Sequence, residues 1–225
     1  MANETQINKE IVNGNATVIN SSLYQSGSET VINPIAVGTT GIVTGQVLCE
    51  KYSVVKKMDI VTGEADLYIT EYEGTQYIAK VYRRKVAIKP EISRKLMNIK
   101  SKYIAAIYET GDIDGYPIEI IPYYKNGSLQ GRKYTFEQLK NNIIPSLNEG
   151  LKVLHDNGIL HKDLKPSNIM VCDNQKDVAI IDFGISSVRE DNNTIIVTKT
   201  GMTPEYSAPE TFRNLFLEES DYYSL

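Results

Sequence analysis

Four residues in the second half of the chain carry groups that do chemistry together: Asp163, Lys165 and Asn168 in the run His161-Lys162-Asp163-Leu164-Lys165-Pro166-Ser167-Asn168, and Asp182 in Asp182-Phe183-Gly184. A carboxylate such as Asp163 can accept the proton of a hydroxyl and orient its oxygen for attack. The Asn168 amide oxygen and the Asp182 carboxylate are hard oxygen ligands, suited to a divalent cation that bridges phosphates. Lys165, two residues past the acid, can neutralise charge on a moving anionic group. The set suits phosphoryl transfer from a magnesium nucleotide, which asks a protein mainly for positioning and charge neutralisation.

Such groups need rigid support. Ile159-Leu160, Ile169-Met170-Val171 and Val178-Ala179-Ile180-Ile181 read as short buried strands that would hold the acids on the loops between them. The bland alternative is a polar turn between two such strands. Upstream, Tyr52 to Val61, Leu67 to Glu73 and Gln76 to Tyr82 read as three strands, with Glu73-Gly74 turning the second into the third. Thr135-Phe136-Glu137-Gln138 suggests a capping box, shifted by about a residue, ahead of a helix. Its apolar residues Leu139, Ile143, Leu147, Leu151 and Leu154 recur at helical spacing, with a kink expected at Pro145.

With Thr203-Pro204-Glu205-Tyr206-Ser207-Ala208-Pro209-Glu210 following in order, these runs resemble the catalytic loop, metal-binding loop and substrate platform of the protein kinases, in particular a bacterial eukaryotic-like Ser/Thr protein kinase. The resemblance covers roughly residues 47 to 225. It implies an α+β, two-lobed protein kinase-like fold, with an antiparallel β small lobe and a mainly helical large lobe that is incomplete. It also implies ATP and Mg2+ as cofactors, Asp163 as the group that orients a protein hydroxyl, and Asn168 and Asp182 as metal ligands. Lys165 then points to serine or threonine substrates. Lys162 stands where the family has Arg, which leaves a point charge in place of a bidentate fork for an activation-loop phosphate. Thr194, Thr198 and Thr200 are the candidate phosphosites of that loop, and Thr203 is expected to hydrogen-bond Asp163 and Lys165. His161 resembles the family's buried structural histidine beside Phe183, and Asp221 the acid that anchors the catalytic loop.

Two lysines compete for the nucleotide phosphates. Val86-Ala87-Ile88-Lys89 matches the family motif by its letters, but Lys80 follows the Glu73-Gly74 turn directly and alternates correctly in a strand. Lys89 precedes Pro90, which favours a helix start. Lys80 is therefore assigned the phosphates, and Glu91 is expected to pair with it from the following helix. A solvated acid in a helix's first turn is the plain alternative for Glu91. The lid over the phosphates would run from Val61 to Asp66 with Gly63 out of the family's register. Leu67 and Ala79 are expected to roof the adenine and Met170 to floor it. Ile121 would be the gatekeeper, the Pro122 carbonyl and Tyr124 N–H the hinge contacts.

The chain has 225 residues, 41% of them hydrophobic, and a net charge of −4, which argues against nucleic-acid binding. Its two cysteines, Cys49 and Cys172, imply no disulfide framework, and no membrane segment is evident in this portion, so a cytoplasmic location is expected. The expected organisation is a flexible arm over 1–46, a kinase small lobe and hinge over 47–124, and a truncated large lobe over 125–225. The arm holds Thr17-Val18-Ile19-Asn20 and Thr30-Val31-Ile32-Asn33, whose threonines, once phosphorylated, would suit a phosphothreonine-binding partner. The expected substrate is a protein with Ser or Thr hydroxyls. Glu210 is expected to lack its usual Arg partner. The alternative to an active kinase is a truncated or pseudokinase-like module that binds nucleotide without turnover.

Overall fold

The structure, a computed structural model, describes residues 41–60, 62–85, 89–184, 186–188, 195–196 and 203–225. Both threonine repeats of the arm, Val86 to Ile88, and Thr194, Thr198 and Thr200 lie outside these residues.

Six strands, β1 (Val47–Leu48), β2 (Tyr52–Lys57), β3 (Ala65–Tyr72), β4 (Thr75–Tyr82), β5 (Glu109–Ile113) and β6 (Tyr116–Pro122), form one antiparallel sheet in the order β1-β2-β3-β4-β6-β5. The first long strand stops at Lys57, short of the expected Val61, after a bulge between Val54 and Lys56. Two hairpins have two-residue turns with positive φ at both positions: Glu73 (49°) with Gly74 (73°), and Asp114 (52°) with Gly115 (79°). That backbone matches the twist of the flanking strands, and glycine accepts it without strain.

Alternation assigns the sheet's faces. One face gathers Tyr52, Tyr68, Ala79, Val81, Ile118 and Ile120 into an apolar cluster. The other carries Leu67 opposite Lys80, Ile69 opposite Ile78, Ile78 opposite Ile121, and Lys80 opposite Glu119.

Helix α1 (Pro90–Asn98) starts at a proline, as the sequence suggests, and buries Ile92 and Leu96 on one side. These join a second core with Ile99, Ile104, Leu147, Leu151, Leu154, Ile159 and Ile180. Much of that core comes from a longer helical run. Thr135 caps α2 (Phe136–Gln138), accepting Gln138 N–H at 3.2 Å while Gln138 Oε1 accepts Thr135 N–H at 2.9 Å, so the capping box lies in register. A π-helical turn over Leu139–Ile143 leads into α3 (Ile144–Asp156). Pro145 lacks the N–H that an unbroken α-helix needs, and the wide turn before it absorbs the mismatch. Leu139 falls outside the buried stripe and is exposed, whereas Ile143, Leu147, Leu151 and Leu154 are buried.

The remaining strands are short antiparallel pairs: β7 (Ile159–Leu160) with β10 (Ser187–Val188), β8 (Ile169–Val171) with β9 (Val178–Ile180), and β11 (Ile195–Ile196) with β12 (Leu215–Phe216). Helix α4 (Glu218–Tyr223) follows. Glu73 is the one non-glycine of its turn, and asparagine tolerates that conformation better. Glu73→Asn is therefore expected to stabilise the fold by about 0.5–1 kcal/mol, read as a higher urea midpoint with unchanged slope.

Candidate active site

The loop after β7 is held from below by one carboxylate. Asp221 on α4 is 2% exposed. Its Oδ2 accepts His161 N–H at 2.9 Å and its Oδ1 accepts Lys162 N–H at 2.8 Å, while His155 Nε2 lies 2.9 Å from Oδ2. Lys162 takes a left-handed φ of 70°, a conformation that costs a non-glycine residue about 1 kcal/mol or more and persists only where its surroundings enforce it. His161 is fully buried, its Nε2 2.9 Å from the Ile181 carbonyl and its ring edge-on to Phe183.

Above this anchor the sequence-expected acid sits in a closed hydrogen-bond set. Thr203 Oγ1 donates to Asp163 Oδ1 at 2.8 Å, and Lys165 Nζ donates to Asp163 Oδ2 at 2.6 Å and to Thr203 Oγ1 at 3.0 Å. Asn168 Nδ2 donates to the Asp163 carbonyl at 2.9 Å and to Oδ2 at 3.2 Å. Its amide nitrogen is thereby committed, and its oxygen is the atom left for a ligand. The structure thus brings Asp163, Lys165, Asn168 and Thr203 together from two segments far apart in sequence.

Across the cleft, Lys80 Nζ pairs with Asp182 Oδ1 at 3.0 Å. Desolvation pushes the Asp182 carboxyl up, but the charge and hydrogen bond of Lys80, with the field of His161 and the Gly184 N–H, outweigh it and hold the group below the usual carboxylate range. Asp182 also takes a left-handed φ of 65°, which aims it back into the cleft. Among the described residues no cluster of three or more His, Cys, Asp or Glu is placed to hold a metal. Asn168 and Asp182 alone fit Mg2+ well, since that ion keeps several waters and substrate oxygens and needs only one or two protein carboxylates or amides.

Lys89, the other lysine, stands at the N-cap position of α1 without a side-chain capping bond and donates to the Ser186 carbonyl at 2.7 Å. Glu91 is exposed in the first turn of α1 and is not brought to Lys80. The polar side chain that α1 buries is Ser93, two residues later, which donates to Glu119 Oε1 at 3.1 Å. The start of the helix at Pro90 sets this phase and turns position 91 outward.

The adenine roof also needs correction. Ala79 is fully buried, but in the cluster on the far face of the sheet. It is adjacent to Lys80, and neighbours in a strand point to opposite faces. Leu67 does share the Lys80 face, and Ile69, Ile78 and Ile121 line the same side. Met170 is half-buried on β8, alternating with buried Ile169 and Val171. Pro122 ends β6, and the Tyr124 carbonyl accepts Gly127 N–H at 3.0 Å.

Gly63 is exposed at the tip of the β2–β3 connection. That connection is clamped rather than glycine-loosened: Arg83 Nη1 donates to the Thr62 carbonyl at 2.6 Å, its Nη2 to Asp66 Oδ1 at 2.8 Å, and its N–H to the Glu64 carbonyl at 2.9 Å. The Glu64 carboxylate lies over the metal loop, since a methyl on Gly184 would come within 3.0 Å of Glu64 Oε2 and 3.4 Å of Asp182 Oδ1. Sequence reasoning missed Glu64, Tyr82, Ser93 and Glu119. Only Glu119 carried a signal, as the lone charge within Ile118-Glu119-Ile120-Ile121. Glu210 is not without a partner: Ser220 Oγ donates to its Oε1 at 2.5 Å.

With this geometry in place, comparison with known proteins gives the family. Residues 91–225 match the protein kinase domain model, and the chain belongs to that family. Similar proteins include a calcium/calmodulin-dependent protein kinase type I of Schizosaccharomyces pombe, 42% identical over 32% of this chain and 22% of the relative. A type 1 enzyme of the same name from Caenorhabditis elegans is 29% identical over 62% of this chain and 42% of the relative. A probable serine/threonine-protein kinase PknB of Corynebacterium glutamicum is 32% identical over 49% of this chain and 18% of the relative. The matches thus span less than half the length of each of these relatives. The antiparallel sheet followed by helical segments is the kinase arrangement, and no helix among the described residues is long and apolar enough to cross a membrane.

Lys162 gives a pH-dependent prediction. It is 7% exposed, and burial first, then repulsion from Lys89, pulls its ammonium from the usual 10.5 down to about 8 against the pull of Asp221. Below about pH 8 both folded and unfolded chains carry this proton, and the folded state bears the full desolvation cost. As pH rises from about 8 towards 10.5 the folded state releases the proton first, and the cost fades. Lys162→Met is expected to be more stable than the unaltered chain at pH 7, by on the order of 2 kcal/mol, with the gap narrowing between pH 8 and 10 in urea melts.

Proposed function

We propose that this chain transfers the γ-phosphoryl group of ATP to Ser or Thr hydroxyls of proteins. The observation that carries the reading is the Asp163–Lys165–Thr203–Asn168 hydrogen-bond set facing the Lys80–Asp182 pair. Bound Mg2+, held by the Asn168 oxygen and Asp182, would supply charge neutralisation at the phosphates. Asp163 is oriented by Thr203 and Lys165, so its carboxylate can receive a substrate hydroxyl and take up its proton. Lys165 then lies where negative charge on the transferred group needs a partner, and Lys80 where the nucleotide phosphates need one. The Lys165 position and the serine/threonine-protein kinase name of the Corynebacterium glutamicum relative support Ser/Thr substrates. Relatives from yeast, a nematode and a bacterium are matched alike. Two free, half-buried cysteines and the absence of paired sulfur among the described residues support a reducing, cytoplasmic setting. A binding-only module is the weaker alternative, because every side chain that the chemistry asks of the catalytic and metal loops is present and bonded in place.

The test is magnesium-dependent transfer from labelled ATP to a generic Ser/Thr substrate by residues 1–225. Transfer is expected, with a loss of at least about a hundredfold in Asp163→Asn and in Asp182→Ala. Lys89→Ala, which removes the bond to the Ser186 carbonyl and the repulsion on Lys162, is expected to keep transfer within about threefold. Transfer that survives Asp182→Ala would remove the proposed site, and equal losses in the Asp182 and Lys89 variants would reassign the phosphate lysine.

A further inference from the structure

Lys80 has three acids within its neighbourhood by sequence or register, and each occupies a different position. Asp182 pairs with it directly at 3.0 Å. Glu91 is exposed on α1. Glu119 stands directly across from it on β6, on the same face of the sheet. Opposed residues of an antiparallel pair have Cβ atoms about 5 Å apart, so these two side chains share one small volume.

Glu119 is 7% exposed, and both of its oxygens are held by neutral hydroxyls. Tyr82 Oη donates to Oε2 at 2.8 Å and Ser93 Oγ donates to Oε1 at 3.1 Å. Tyr82 also brings its ring to within 5.0 Å of Lys80 Nζ. Burial first, then the negative charge and hydrogen bond of Glu119 with the fields of Asp182 and Glu64, push the Tyr82 phenol far up, so it remains a donor across the working pH range. Hydroxyls fix the direction of a buried carboxylate, but they do not balance its charge, and burying an unbalanced carboxylate is costly. The cation that the fold places on its face is Lys80.

Resting on the kinase reading above, we propose that Glu119 is the positioning carboxylate for Lys80, a task sequence reasoning gave to Glu91, and that Ser93 links it to helix α1. Asp182 serves two partners in this reading, because a carboxylate that also ligates a metal shares its charge between the metal and Lys80. Glu119, anchored on an interior strand by two hydroxyls, keeps its place beside the lysine whatever Asp182 does. Coupling to α1 then runs through one neutral hydrogen bond from Ser93 rather than through an ion pair made by the helix itself.

The test uses the full 225-residue chain and reads equilibrium binding of Mg·ATP beside transfer kinetics, for Glu119→Gln, Glu119→Asp, Lys80→Met and Lys80→Met with Glu119→Gln. Gln keeps the shape, accepts from one hydroxyl and donates to the other, but lacks the charge, whereas Asp keeps the charge and loses a methylene. A purely structural role makes Asp the worse replacement. A positioning charge makes Gln the worse one: an increase of about tenfold in Kd for Mg·ATP is expected for Gln, against about threefold for Asp. In the Lys80→Met background the Gln change is expected to add less than about twofold, because the two residues act as one unit. Should Glu119→Gln not fold, Tyr82→Phe with Ser93→Ala provides the second reading. It leaves the charge but unties it, and is expected to weaken Mg·ATP binding several-fold, about fivefold, only when Lys80 is present. If the unaltered, folded chain binds no Mg·ATP, the kinase reading falls and this inference with it. If the unaltered chain binds and Gln is tolerated better than Asp, or the Gln loss is the same without Lys80, the inference alone is overturned.

Discussion

The site depends on a carboxylate that performs no chemistry itself. Asp221 takes up two consecutive backbone N–H groups and the His155 ring, and so fixes the turn on which Asp163 stands. Without that anchor, the left-handed backbone at Lys162 has nothing to enforce it, and the direction of Asp163 is lost with it. The anchor itself is nearly sealed from water, so its hydrogen bonds are strong and their loss is expensive. A similar logic governs the other side of the cleft, where the left-handed Asp182 and the His161–Ile181 contact hold the second acid. Within the site, left-handed backbone falls at Lys162 and Asp182, and the packed helices α3 and α4 help sustain it.

Charge is distributed with equal economy. Lys80 and Lys165 each face a carboxylate at hydrogen-bond distance, and the acids outnumber the bases on the cleft face once Glu64 and Glu119 are counted. The composition of the described groups thus favours a metal-bound anion over a free one.

Much of this was legible in the amino-acid order because local chemistry was enough to read it. Asp163, Asn168 and Asp182 stand out by type and spacing, the Glu73-Gly74 hairpin by its turn residues, and Lys80 by its place after that turn. The capping box at Thr135 was read one residue loose, because periodicity locates a helix better than its first residue. Failures came where an answer depended on facing rather than identity. Nearness in sequence suggests one slot for Ala79 and Lys80 although the two alternate in the strand, and a first-turn acid suggests an inward Glu91 although Pro90 sets the helix phase that turns it outward. Glu119 was visible as a single charge in an apolar strand, but its meaning required knowing that β6 lies next to β4, a pairing that skips β5 and α1 in the chain.

The clamped connection between β2 and β3 changes the thermodynamic character expected of any ligand beneath it. A glycine-rich cover is loose when empty and must be ordered at the moment of binding, which subtracts from affinity. Here the guanidinium of Arg83 grips Thr62 and Asp66, and its backbone grips Glu64, so the segment from Thr62 to Asp66 is tied to the sheet without a guest. Binding in this cleft should carry a small entropic penalty, and its specificity should come from fixed side-chain charges more than from amides that close around a guest.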